Sequence, residues 1–148
     1  MPAPAKEPIG LELSRTSKIV SRAFDDVLSA AGASLPTWLV LVSLKGQRPG
    51  PQRELAAAIG VEGPTLTHHL NRMESAGLVT RSREPANRRV HRVELTADGE
   101  AMFQRLLATV VEFDRRLRAG LAEKEVTVLR GLLERLRANV SVGAAVTP

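Results

Sequence analysis

The chain has 148 residues, room for one domain built on one core. Lys and Arg total 21 against 16 Asp and Glu, a net charge of +5 that favours a polyanionic partner. Cysteine is absent, which excludes disulfides, thiolate nucleophiles and cysteine-ligated metals, and no stretch approaches the ~18 apolar residues of a spanning helix, so a cytoplasmic protein without membrane contact is expected.

Residues 1 to 9 hold three prolines and no periodicity, the pattern of a flexible arm. From Leu11 to Ala31 the residues Thr16, Val20, Ala23, Phe24, Val27, Leu28 and Ala31 recur at helical spacing, and Gly32 offers a stop. Ser34 and Pro36 open a second helix, apolar almost all round from Trp38 to Leu44 and therefore expected to be buried, which Gly46 ends. Gly50 and Pro51 start a short helix from Gln52 to Ile59, and Gly60 makes a turn. Gly63 and Pro64 repeat that start ahead of a helix to about Ala76, with Leu66, Leu70 and Met73 inward and Gly77 as its stop.

Between Leu78 and Leu95, apolar residues flank a polar middle of Glu84, Pro85, Ala86 and Asn87, which predicts a β-hairpin. Thr96 caps a long helix to about Ala119, with Met102, Phe103, Leu106, Leu107, Val110 and Phe113 on one face. Gly120 interrupts the pattern, and a last helix from Ala122 to about Val140 carries Val126, Leu129, Leu132, Leu133, Leu136 and Val140 at the same period. The expected fold is mainly α with a small β-hairpin. Residues 142–148 are expected to form a flexible tail.

Residues 52 to 76 have the form of a helix-turn-helix, in which the first helix braces the second so that its leading turns lie in the major groove. Leu55, Ala56 and Ile59 would pack on Leu66, Leu70 and Met73, leaving Thr65, Thr67, His68, His69, Asn71 and Arg72 on the outer face as candidate DNA contacts. Between residues 78 and 92 stand Arg81, Arg83, Arg88, Arg89 and Arg92 against one acid, Glu84. Planar guanidinium groups grip phosphate in two places and fit a narrow, negative minor groove, so these five are the candidate wing contacts.

On the strings ELAAAIGVEGPTLTHHLNRMESAGLVTR (54–81) and NRRVHRVELTADGE (87–100), the chain resembles the MarR family, the multiple antibiotic resistance regulators, over roughly residues 10 to 140. The resemblance implies a winged helix-turn-helix lobe at 33–96 and a dimerisation region formed by 10–32 and 97–141. Arg89 resembles the family's wing-tip arginine, although Asn87 stands where an Asp is usual, and Glu62 stands where the family often has a small polar cap. The resemblance further implies a homodimer on a palindromic, double-stranded operator. A repressor released by a small aromatic carboxylate or phenol is the reading it favours, with Ser14, Arg15, Trp38, His68 and His69 as candidate pocket residues.

An enzyme is not expected. The sequence has no Gly-rich phosphate loop, and its only histidines are His68, His69 and His91. The adjacent pair points about 100° apart on a helix, which disfavours joint metal binding, so neither a metal nor a cofactor is expected. The alternative is an architectural DNA-binding or protein-interaction module without sequence preference.

Overall fold

The computed structural model describes residues 6–46, 52–89 and 91–141, so the Gly50–Pro51 start signal, Val90, the tail at 142–148 and most of the arm lie outside it. Among the described residues six helices and one hairpin follow in order: α1 (Ile9–Ala30), α2 (Leu35–Gly46), α3 (Gln52–Ile59), α4 (Gly63–Ser75), β1 (Val79–Arg83), β2 (His91–Leu95), α5 (Ala97–Leu117) and α6 (Glu123–Ser141). The chain divides into two compact units, one reaching Phe113 and the other starting at Asp114.

In the first unit, α1 begins two residues earlier than the apolar periodicity suggests. Pro8 is extended, has no N–H to lose, and its carbonyl accepts from the amides of Leu11 and Glu12 at 3.0 and 3.3 Å. The stripe on α1 is narrower than expected: Leu28 is fully buried and Phe24 half-buried, while Thr16 faces solvent. Ile9, Leu11 and Ile19 are also exposed. At the other end Gly32 adopts φ +85°, which lets the amide of Ala33 turn back to the Leu28 carbonyl at 2.9 Å.

The core gathers on α2, whose Val40 and Leu41 have no exposed surface. Trp38 stacks on Phe103 of α5 with ring centroids 5.7 Å apart and planes 7° from parallel. Val79 and Val93, on facing strands, close the core together with Leu55, Leu66, Leu70 and Met73. The hairpin is antiparallel, with Val79 opposite Leu95 and Arg83 opposite His91.

One joint ties the hairpin to α5. Thr96 Oγ1 accepts from the Gly99 amide at 3.0 Å and donates to the Gly77 carbonyl, while the Thr96 amide donates to the Leu78 carbonyl at 3.1 Å. The expected Thr96 cap is present, and it also staples the start of α5 to the turn that follows α4.

In the second unit, Gly120 at φ +84° separates the end of α5 from α6. The amide of Ala122 donates to Glu125 Oε1 at 2.9 Å, satisfying an amide that the helix itself leaves unpaired. Val126 is buried, Leu133 and Leu136 are half-buried, and Val128, Leu129, Leu132 and Val140 are exposed. Among the described residues, no single helix is long and apolar enough to cross a membrane.

Candidate nucleic-acid interface

The helix-turn-helix is assembled from α3 and α4. Gly60 at φ +74° permits the turn, and the Val61 amide closes it on the Ala56 carbonyl at 3.1 Å. Leu66, Leu70 and Met73 point inward, which leaves Thr65, His68, Asn71 and Arg72 exposed and Thr67 and His69 half-exposed along the outer side of α4. Glu62 occupies the N-cap position in extended conformation without a side-chain capping bond.

Thr67 is committed to the scaffold. Its hydroxyl donates to the Gly63 carbonyl at 3.0 Å and accepts from Gln52 Nε2 of α3 at 2.9 Å, so it braces the two helices as well as lying on the outer face. Gln52, not singled out from the sequence, gains this role through a contact 15 residues distant, for which no local signal exists.

The wing arginines fall into two groups. Arg81 turns back onto α4, donating to Asn71 Oδ1 at 2.5 Å and to Glu74 Oε1 at 3.1 Å, and Arg92 pairs with Glu84 at 3.2 Å. Both were expected among the DNA contacts. In the structure each has a carboxylate partner, because β1 sets Arg81 beside Glu74 of α4 and the hairpin sets Arg92 beside Glu84. The carboxyl of Glu74 is held below its usual range, chiefly by the hydrogen bond from Arg81.

Arg83, Arg88 and Arg89 are exposed, and among the described residues no carboxylate pairs with them. The tip that bears them is shaped by Asn87, whose amide donates to the Glu84 carbonyl at 3.2 Å and whose Oδ1 accepts from the Arg89 amide at 3.2 Å. Asn87 therefore orders the tip through the Arg89 backbone and leaves its guanidinium available. An exposed hydrogen-bonding helix face beside unneutralised guanidinium groups suits a phosphate-lined groove.

The model of the MarR family matches residues 33–91. A probable transcriptional regulator from Pseudomonas aeruginosa is 30% identical over 88% of this chain and 97% of its own, with a TM-score of 0.77. This chain belongs to the MarR family. A mutant MarR from E. coli, solved in complex with operator DNA, is 26% identical over 87% of this chain and 93% of its own, with a TM-score of 0.78. CouR from Rhodococcus jostii RHA1 is 27% identical over 88% of this chain and 92% of its own. It has been solved as a repressor on a 23-mer DNA duplex (TM-score 0.80) and with p-coumaroyl-CoA (TM-score 0.74).

As a MarR-family transcriptional regulator the chain carries the winged helix-turn-helix that its sequence suggested, but the expected pocket set does not assemble within one chain. Ser14 and Arg15 lie exposed on α1, where Arg15 is ion-paired with Glu7 in solvent. Trp38 is consumed by its stack on Phe103, and His68 faces an open groove with Asn71 and Arg72. Of the expected residues, Arg15 borders a shallow hollow on α1 with Lys18, Arg22 and Asp26, and His69 lines a separate cleft of about 400 Å³. Ser34 and Thr37 at the start of α2 and Arg72 and Met73 on α4 line it too, with Met102 on α5. Among the described residues, no group of His, Asp or Glu could hold a metal ion.

Proposed function

We propose that this MarR-family regulator is a cytoplasmic repressor that grips a palindromic operator as a homodimer and is released by a small aromatic or phenolic acid. The observation that carries the DNA half of this reading is the juxtaposition made by Arg81. Its bonds to Asn71 and Glu74 set the first wing strand against α4, so the polar helix face and the unpaired Arg83, Arg88 and Arg89 belong to one surface. Thr65, His68, Asn71 and Arg72 meet base edges, the three arginines meet the backbone and minor groove, and Thr67, Arg81 and Arg92 hold the frame. DNA-bound structures of CouR and of a mutant E. coli MarR support the reading.

Dimerisation follows from uncovered apolar surface. Ile9, Leu11 and Ile19 on α1 and Val128, Leu129, Leu132 and Val140 on α6 are too many large apolar side chains for a solitary subunit to leave in water. A two-fold dimer presents two α4 helices to half-sites about one helical turn apart, which is why the operator is palindromic.

The effector half rests on the cleft. Hydroxyls of Ser34 and Thr37, the His69 imidazole and the Arg72 guanidinium supply an anion-receptive wall, and Met73, Leu78 and Met102 an apolar one. That pairing suits a flat ring bearing one carboxylate, and CouR has been solved bound to p-coumaroyl-CoA. A ligand wedged between α4 and the α1–α2 turn releases DNA by binding better to the conformation in which the two recognition helices are misplaced.

Gel-shift competition tests the DNA reading. The protein should retain its palindromic site under excess random duplex, whereas a protein without sequence preference loses it. For the effector, calorimetry against a panel of aromatic acids should find a ligand that also releases the operator. Thr37→Val should weaken that ligand while leaving operator affinity unchanged. A panel without a single binder removes the effector half and leaves the DNA half standing.

A further inference from the structure

Asn71 and Glu74 stand one turn apart on α4, and both bond to Arg81 across the start of the hairpin. Arg81 Nη2 donates to Asn71 Oδ1 at 2.5 Å and to Glu74 Oε1 at 3.1 Å, while its Nε lies 3.4 Å from Glu74 Oε2. The Arg81 side chain is only 20% exposed, against 43% for Glu74, so the guanidinium is confined between strand and helix.

A guanidinium has donors and no acceptor, whereas a carboxamide has one accepting oxygen and one donating amino group. An exposed asparagine ordinarily turns either end to its neighbours. Here a half-turn of the amide would set its amino group against the Arg81 donors, so the oxygen stays towards Arg81 and the amino group is directed away.

The geometry points to Asn71 as a specificity-determining residue that meets the operator with its Nδ2 amino group foremost, locked in that sense by Arg81, with Glu74 positioning Arg81 in turn. This rests on α4 being the recognition helix proposed above. In the major groove a donor can be received by guanine O6 and N7, adenine N7 or thymine O4, whereas cytosine offers only its own amino donor. The paired contact to adenine would need the amide oxygen to accept a second hydrogen beside that of Arg81, whereas guanine offers two acceptors to the free amino group and is the base best matched to this arrangement. Each half-site should therefore hold one position where guanine is preferred and cytosine rejected.

Selection of duplexes from a random library by the full-length protein, followed by affinity measurements, tests this. Asn71→Asp keeps an acceptor for Arg81 and the same shape but turns the outward donor into an acceptor. It should move the preference at that position from guanine to cytosine and weaken the wild-type site about tenfold. Arg81→Leu should flatten the preference at that position and leave the rest of the operator intact, with thermal unfolding checking that the variant is folded. Should that variant not fold, Glu74→Gln should produce a weaker flattening at the same position. Retention of the guanine preference by Asn71→Asp, or equal loss for all four bases, overturns the inference while the α4 reading survives. If the wild-type protein selects no sequence at all, the α4 reading itself falls and takes this inference with it.

Discussion

Replacing Gly99 by alanine separates a local from a tertiary effect by the sign of its result. Within an α-helix, Gly→Ala stabilises by up to ~1 kcal/mol because it restricts the unfolded chain. A Cβ at Gly99, however, would lie 2.0 Å from the carbonyl oxygen of Leu78, 3.0 Å from its carbonyl carbon and 3.2 Å from Leu95 Cδ2. A backbone carbonyl cannot swing aside as a side chain can, so the first turn of α5 must move. That shift strains the Thr96 bonds to Gly99, Gly77 and Leu78. Overpacking costs about 1 to 3 kcal/mol and a lost cap about 1, so after the propensity gain a net loss of about 1 to 3 kcal/mol is expected. Thr96→Val removes the cap without the clash and should cost about 1 kcal/mol. Urea unfolding at one fixed protein concentration measures both, since a dimer's stability depends on concentration. Gel shifts on the same variants should show operator affinity falling with stability, because the joint anchors both ends of the hairpin. A Gly99→Ala protein as stable as the wild type, or more so, refutes the reasoning.

Arg89→Ala should weaken operator binding by about 1 to 3 kcal/mol and reduce the salt dependence by about one charge, with the dimer intact by sedimentation. Equal affinity at physiological salt would remove the wing tip from the interface. Leu132→Asp, on the exposed face of α6, should shift sedimentation towards monomer and abolish tight operator binding, and a variant that stays dimeric would move the interface elsewhere. Glu74 has its folded pKa depressed by the Arg81 hydrogen bond, so its contribution to stability is full above the ordinary value of 4.5 and is lost as pH falls through the lower folded value. Acid unfolding of Arg81→Met should lack this part of the pH dependence, and an unchanged acid limb would show that the pair is not coupled to folding.

Much of the fold was legible because its signals are local. Of the five glycines expected to end or turn helices, Gly32, Gly60, Gly77 and Gly120 adopt positive φ, where a side chain would be strained, while Gly46 is the last residue of α2 without it. Leu66, Leu70 and Met73 recur at helical spacing and are buried, and the hydroxyl of Thr96 caps the helix it precedes. Such features depend on residues within a few positions of one another, so the sequence alone determined the helices, the hairpin and the helix-turn-helix frame. Tertiary structure alone decided which chemistry each side chain is free to do. Five wing arginines look alike in the sequence, yet Arg81 and Arg92 are held by Glu74 and Glu84 while Arg83, Arg88 and Arg89 stay open. Thr16 sits in the helical pattern but faces solvent, Arg15 turns to Glu7 and does not line the cleft that holds His69, and Gly99 is required by a carbonyl 21 residues earlier in the chain. The reason is common to all of these. Periodicity records which way a side chain points from its own helix or strand, whereas partners, clashes and cavities depend on what another element places opposite it.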